Sequence, residues 1–204
     1  MKYSALVPVK SLCEAKSRLA PHLSRVERRQ LVIQMLHHVL HTLQACGQFE
    51  RISVVSPDTT VLAMAQAWGM HAIIEEQPGH NPALHAAAQH ERTRGIDALL
   101  TISADLPLLR PEEIASMLQA SRCHDVVLAA SREGTGTNAV LMRPPLIVPY
   151  VFGIGSLQRY QQEARQRHLT STVIHSTGLS YDIDTIEDVT GWKQPGCTPI
   201  TLFS

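Results

Sequence analysis

Apolar residues fill the run from Tyr3 to Val9, which Lys10 then interrupts, as a short buried strand would read. Ser24 stands as a helix cap with Glu27 three residues on, a capping box. Behind it, Val26, Leu31, Ile33, Met35, Leu36, Val39, Leu40 and Leu43 fall as on a mostly buried helix. The pattern then predicts a strand at Arg51–Val55, closed by Ser56-Pro57-Asp58, and a helix over Thr60–Trp68 stopped by Gly69. A short strand at His71–Ile74, a loop at Pro78-Gly79-His80-Asn81 and a helix over Pro82–Arg92 with Asn81 as its cap come next. Ala98–Ser103 reads as a central strand, and Pro111 opens a helix running to about Ala120. Strand and helix alternate throughout this stretch, which predicts a parallel, doubly wound sheet.

After Asp125 the rhythm changes. Val126–Ala130 and Ala139–Met142 read as strands joined by a Gly/Thr-rich loop, and Ser156–Gln166 as a helix. Thr172–His175 and Leu179–Ile183 read as further strands, and Thr185–Val189 as the start of a last helix. The expected fold class is α/β, a mixed but mostly parallel sheet flanked by helices. Residues 1–190 are expected to form a single domain, with 191–204 as an irregular tail.

Composition narrows the possibilities. The 204 residues hold 44% hydrophobic and 18% charged positions, enough to build a core. Lys plus Arg equals Asp plus Glu at 18 each, so the basic excess that non-specific nucleic-acid binding needs is missing. No apolar run approaches the ~20 residues of a membrane span. The N-terminus carries no signal-peptide pattern, and a cytoplasmic location is expected. Cys13, Cys46, Cys123 and Cys197 form no C-x-x-C pair and read as free thiols. His37 and His41 share a helical face at a spacing that can hold a metal, but no Cys or carboxylate nearby completes a ligand set.

Ligands of open α/β sheets bind outside the carboxyl ends of the strands. Lys10, Lys16 and Arg18 follow the first strand without the glycines of a phosphate loop. They are either solvated cations or a seat for polyphosphate, since cations at a helix start oppose its dipole unless an anion is bound. Asp105, in Ser103-Ala104-Asp105, ends a strand and is either a turn residue or a metal ligand. Asp182 and Asp184 are two residues apart, which on a strand puts both on one face. Together with Asp105 they would make an oxygen-rich site for Mg²⁺, although Asp184 could equally cap the last helix. Gly134-Thr135-Gly136-Thr137-Asn138 and Phe152-Gly153-Ile154-Gly155-Ser156 are small-residue loops that can bind an anion or simply turn.

Taken in order, several segments resemble the CofC/FbiD family of guanylyltransferases from coenzyme F420 biosynthesis. They are Val7-Pro8-Val9-Lys10 with Ala15-Lys16-Ser17-Arg18-Leu19, Val54-Val55-Ser56-Pro57-Asp58, Ala104-Asp105-Leu106-Pro107-Leu108, the two small-residue loops, and Asp182-Ile183-Asp184-Thr185 with Asp188. The resemblance spans about residues 3–190. It implies a GT-A-like nucleotidyltransferase fold and transfer of GMP from GTP to the phosphate of phosphoenolpyruvate, 2-phospho-L-lactate or 3-phospho-D-glycerate, releasing pyrophosphate. It further implies Mg²⁺ held by Asp105, Asp182 and Asp184. The acceptor would lie on Thr137, Gly153 and Ser156, with Asn138, Gly155 and Tyr160 alongside. Lys10, Lys16 and Arg18 would hold the GTP phosphates, Lys16 and Arg18 acting with Asp105 in catalysis. Pro78, Asn81 and Ser103 would lie on the nucleotide side. A homodimer, and hand-off of a labile product to the next transferase, are implied as well. Two segments depart from the family pattern: Tyr160 stands where a His is common, and Gly79-His80-Asn81-Pro82 stands where Gly-Leu-Asn followed by small residues is usual. A molybdopterin or sugar-phosphate nucleotidyltransferase and a non-catalytic GTP-binding module are the alternatives.

Overall fold

The computed structural model describes residues 1–192. The elements run β1 (Tyr3–Pro8), a 3-10 turn (Ser17–Leu19), α1 (Arg25–Cys46), β2 (Phe49–Ser56), α2 (Thr59–Ala67), β3 (His71–Ile74) and α3 (His80–Arg92). They continue with β4 (Ala98–Ile102), α4 (Pro111–Ala120), β5 (Val126–Ala130), β6 (Thr137–Met142), α5 (Ser156–Gln166), β7 (Ser171–Ile174), α6 (Thr177–Ser180) and α7 (Ile186–Trp192). Among the described residues, seven strands join one sheet in the order β3-β2-β1-β4-β6-β5-β7. No helix among the described residues is long and apolar enough to cross a membrane.

Period-two alternation divides the core. In β1, Ala5 and Val7 face a layer that contains α1, α2 and α4, while Leu6 faces α3 and α5. β4 repeats this, with Leu100 on the first face and Leu99 on the second. Both faces are covered, so the central strands read as continuous apolar runs. The capping box starts α1 as expected: Glu27 N–H donates to Ser24 Oγ at 3.3 Å, and Ser24 N–H donates to Glu27 Oε2 at 2.8 Å.

One strand breaks the parallel pattern. β6 runs antiparallel to both β4 and β5. Only residues 131–136 separate β5 from β6, too few for the crossover that parallel pairing requires. β6 therefore returns as a hairpin and slots between β5 and β4.

Three expectations need correction. The strand expected at Leu179–Ile183 is absent, and the short helix α6 precedes an unpaired segment there. Gly178 explains it: its N–H donates to Glu113 Oε1 at 2.8 Å, and a Cβ at that position would overlap the Leu108 carbonyl and the Glu113 carboxylate. Asn81 is not the cap of α3, because the helix starts two residues earlier, at His80, and is capped by Gly79, whose φ of 107° suits glycine. Gly191 and Trp192 belong to α7, with Trp192 fully buried, where an irregular tail was expected from residue 191. The rest of the expected tail, 193–204 with Cys197, lies outside the described residues.

Replacing Gly178 by Ala is expected to lower stability by about 1–3 kcal/mol, as overpacking does. Chemical denaturation followed by far-UV circular dichroism would measure it.

Candidate active site

A cleft of about 610 Å³ opens at the carboxyl ends of β1 and β4. Pro8, Val9 and Lys10 form its edge from β1, and Ser103, Ala104 and Asp105 carry on from β4. Lys16 and Arg18 come from the segment after β1, Asn138 from β6, Gly153 from the loop before α5, and Asp182 and Asp184 from the segment before α7. Nine residues singled out in the sequence thus share one concavity: Lys10, Lys16, Arg18, Ser103, Asp105, Asn138, Gly153, Asp182 and Asp184.

Lys16 is the centre of this group. Its backbone is left-handed (φ 52°, ψ 45°), a conformation costly for a side chain with a Cβ, and it turns the chain back into the cleft. Its ammonium pairs with Asp105 Oδ2, and with Asp184 Oδ1 at 2.9 Å. Burial opposes the charged ammonium, but the carboxylates of Asp105 and Asp184 outweigh it and hold Lys16 above the usual lysine range. Arg18 Nη1, largely exposed, reaches Asp184 Oδ2 at 3.4 Å.

The acids are set by backbone contacts rather than by the sheet. Ile183 N–H donates to the Asp105 carbonyl at 3.3 Å, tying the segment to the end of β4. Ile183 is fully buried, so its neighbours Asp182 and Asp184 turn the other way, toward the cleft. The alternation expected of a strand survives without a strand. Asn138 Nδ2 donates to Asp182 Oδ1 at 3.1 Å and to the carbonyls of Leu179 and Ser180. Burial, then the like charge of Asp105, pushes the Asp182 carboxyl above its ordinary range.

Asp188, noted in the sequence for its place in the last helix, organises this segment. Its Oδ2 accepts from the N–H of Asp184 (3.0 Å), the N–H of Thr185 (2.8 Å) and the Thr185 hydroxyl (3.0 Å). Its Oδ1 accepts from Arg132 Nη2 at 2.5 Å, and Arg132 also lies over the Tyr181 ring. Burial works against this carboxylate, but the donors prevail and hold it below the usual range. The Asp-x-Asp-Thr-x-x-Asp spacing was the available signal, since it puts Asp188 on the first turn of α7.

The two small-residue loops meet behind Gly153. Ser156 Oγ donates to Thr137 Oγ1 at 3.1 Å, and Leu157 N–H donates to the Thr135 carbonyl at 3.2 Å. Gly153 has φ 118°, which brings its backbone to the cleft wall. Thr137, Ser156 and Gly155 stand behind that wall rather than on it.

Three other residues fall elsewhere than expected. Tyr160 is a core residue: fully buried, edge-on to Phe152 at 5.5 Å, with its hydroxyl accepting from Val151 N–H at 3.3 Å. Asn81, expected on the nucleotide side, instead bonds the Phe152–Gly153 loop before α5. Its Nδ2 donates to the Phe152 carbonyl (3.2 Å) and its Oδ1 accepts from Phe152 N–H (3.0 Å), a two-bond clamp between α3 and that loop. Pro78 is exposed and does not line the cleft.

No three His, Cys, Asp or Glu side chains among the described residues form a ready-made cage. His37 and His41 stack with ring centroids 6.5 Å apart and recruit no third ligand. At the cleft, however, Asp105 and Asp184 already share one cation, the Lys16 ammonium, and Asp182 is burdened by its neighbours' charge. An all-carboxylate set of this kind fits a hard, oxygen-seeking divalent ion.

Residues 3–192 match the model of the family described as guanylyl transferase CofC like. The chain is 40% identical over 185 residues to the phosphoenolpyruvate guanylyltransferase of Sphaerobacter thermophilus, covering 91% of this chain and 89% of that one. It is 36% identical over 197 residues to the enzyme of the same name from Rubrobacter xylanophilus, covering 96% of each. Its fold resembles a solved structure from Desulfovibrio desulfuricans G20 described as a nucleotide-diphospho-sugar transferase. The TM-score is 0.81 at 16% identity, covering 96% of this chain and 90% of that one, a likeness of fold alone.

Removing the Asn81 clamp by Asn81→Ala is expected to cost about 1–2 kcal/mol and to speed amide exchange at Phe152, readable by hydrogen exchange. Asp188→Asn is expected to cost about 1–3 kcal/mol at pH 7. Because the folded carboxyl lies below its unfolded value, its contribution is present above pH ~4 and lost as pH falls through the folded value. The gap between variant and wild type in denaturation midpoints should therefore close in acid.

Proposed function

The chain belongs to the CofC-like guanylyl transferase family, and from that membership we propose that it transfers GMP from GTP to the phosphate of phosphoenolpyruvate. It is a nucleotidyltransferase of the guanylyltransferase type. The acceptor supports phosphoenolpyruvate because relatives at 40% and 36% identity over nearly the whole chain carry that name. The observation that carries the site assignment is the Lys16 ammonium held between Asp105 and Asp184 in the cleft. The alternatives, a molybdopterin or sugar-phosphate enzyme and a non-catalytic module, are not favoured: the family match spans the chain, and the cleft keeps its cations and carboxylates.

In this reading a phosphate oxygen of the acceptor attacks the α-phosphorus of GTP. The bond from that phosphorus to the bridging oxygen breaks, and pyrophosphate leaves with the electron pair. The attacking phosphate is already an anion, so no general base is needed, and positioning with charge stabilisation carries the rate. Lys10, Lys16 and Arg18 supply positive charge to the triphosphate. The Gly153 backbone, backed by the Thr137–Ser156 hydroxyl pair, seats the acceptor. Asp105, Asp182 and Asp184 would hold Mg²⁺. Bound there, the ion would neutralise charge on the phosphate oxygens.

The reaction would serve coenzyme F420 biosynthesis, with the labile enol phosphate product passed to the next transferase. Free thiols at Cys13, Cys46 and Cys123 support a reducing, cytoplasmic setting. Homodimer formation is part of the same reading and rests on the family resemblance.

The test is pyrophosphate release from GTP with Mg²⁺, offering phosphoenolpyruvate, 2-phospho-L-lactate and 3-phospho-D-glycerate separately. Release is expected with phosphoenolpyruvate, to stop on chelation with EDTA, and to fall at least about 100-fold in Asp105→Asn. Silence with all three acceptors would overturn the activity. Full turnover by Asp105→Asn would overturn the carboxylate assignment.

A further inference from the structure

Beside the cleft lies a smaller compartment of about 210 Å³. The two share Lys10 and His80, so a ligand whose phosphates sit near Lys10 can extend from one into the other. The compartment has apolar walls in Val55, Ala83 and Leu84, suited to the faces of a planar ring. One carboxylate belongs to this compartment alone. Glu75 lines it and not the main cleft, whereas Glu14 is exposed and touches both.

Glu75 follows β3 directly, and its N–H donates to the Ser56 carbonyl at 3.0 Å, which anchors it against the end of β2. Its side chain is half-buried and makes no hydrogen bond or ion pair with another side chain among the described residues. Other buried or half-buried acids are engaged elsewhere: Glu91 accepts from the Ser53 hydroxyl, Asp58 from the Thr60 N–H that starts α2, and Asp188 from the Thr185 N–H at the α7 turn. A carboxylate partly withdrawn from water next to an apolar slot gains by meeting donors from a ligand.

We propose that Glu75 is the residue that reads the base of the nucleotide, accepting hydrogen bonds from the ring N1–H and the 2-amino group of guanine. A carboxylate offers two acceptors side by side and no donor. Guanine presents two adjacent donors on that edge. Hypoxanthine lacks the amino group, and adenine presents a ring acceptor there, which the carboxylate repels. The assignment rests on GTP being the nucleotide substrate. It makes Glu75 a specificity-determining residue, remote from the phosphates and from the acceptor.

The experiment compares GTP, ITP and ATP in the pyrophosphate assay at saturating acceptor, for wild type, Glu75→Ala and Glu75→Gln. Wild type is expected to favour GTP over ITP in kcat/KM by roughly 10-fold or more, since the site loses a charged hydrogen bond with ITP. In Glu75→Ala that ratio should fall to within about threefold, with the acceptor KM unchanged. In Glu75→Gln, which keeps the shape and swaps an acceptor for a donor, kcat/KM for GTP should fall roughly 10- to 100-fold. An unchanged GTP-to-ITP ratio in Glu75→Ala, or an unchanged GTP KM in Glu75→Gln, would overturn the assignment while leaving the guanylyltransferase intact. A wild type that turns over no acceptor would instead overturn the proposed activity. Calorimetric binding of GTP against ITP to wild type and Glu75→Ala would then decide the role of Glu75 on its own.

Discussion

A lysine ammonium shared by two carboxylates is the contact around which the cleft is built. Lys16 meets Asp105 from 89 positions away in the chain and Asp184 from 168. Three acids gathered at the rim of a sheet repel one another and lose solvation, as the raised Asp182 carboxyl shows. A single cation offsets that repulsion and fixes the acids in one place before any ligand arrives. The left-handed backbone of Lys16 is the local cost of delivering the charge there.

The hairpin return of β6 is the second constraint. Because β6 runs against its neighbours, its first residues, Thr137 and Asn138, stand at the same end of the sheet as the last residues of β1 and β4. Asn138 can then orient Asp182, and Thr137 can back the Gly153 loop. A purely parallel sheet would have put the start of that strand at the far end, away from the cleft. The antiparallel strand thus brings the cations of the cleft and the glycine-rich loop to one end of the sheet. Asn81 carries the connection further by clamping that loop to α3.

Around these contacts the structure spends its buried polar groups economically. Asp188 satisfies two backbone amides, a hydroxyl and an arginine with one carboxylate. Thr101 and Tyr150 pair their hydroxyls at 2.7 Å beneath the Phe152–Gly153 loop, where burial also pushes the Tyr150 phenol up. Tyr160 packs edge-on to Phe152 in the same layer and so supports the loop from below.

By itself the sequence determined the elements whose signals are local. The β1 run, the Ser24 capping box, Pro111 at the head of α4 and the alternation of strand and helix all act within a turn or two, and all stand in the fold. The cations after β1, Asp105 and the Asp182–Asp184 pair were also legible as candidates, because strand ends are where such folds bind ligands. The tertiary structure decided what those residues do to one another. The α6 turn at Gly178 depends on a carbonyl and a carboxylate from the α4 region, so no periodicity in 179–183 could announce it. Asn81 was equally ambiguous: its cap chemistry was visible, but its partner Phe152 lies 71 positions on. The Lys16 clamp, the Asn138–Asp182 bond and the lone Glu75 carboxylate arise where the sheet order brings distant segments together. Sheet order is set by the global packing of helices on both faces, and a local pattern of apolar and polar residues does not encode it.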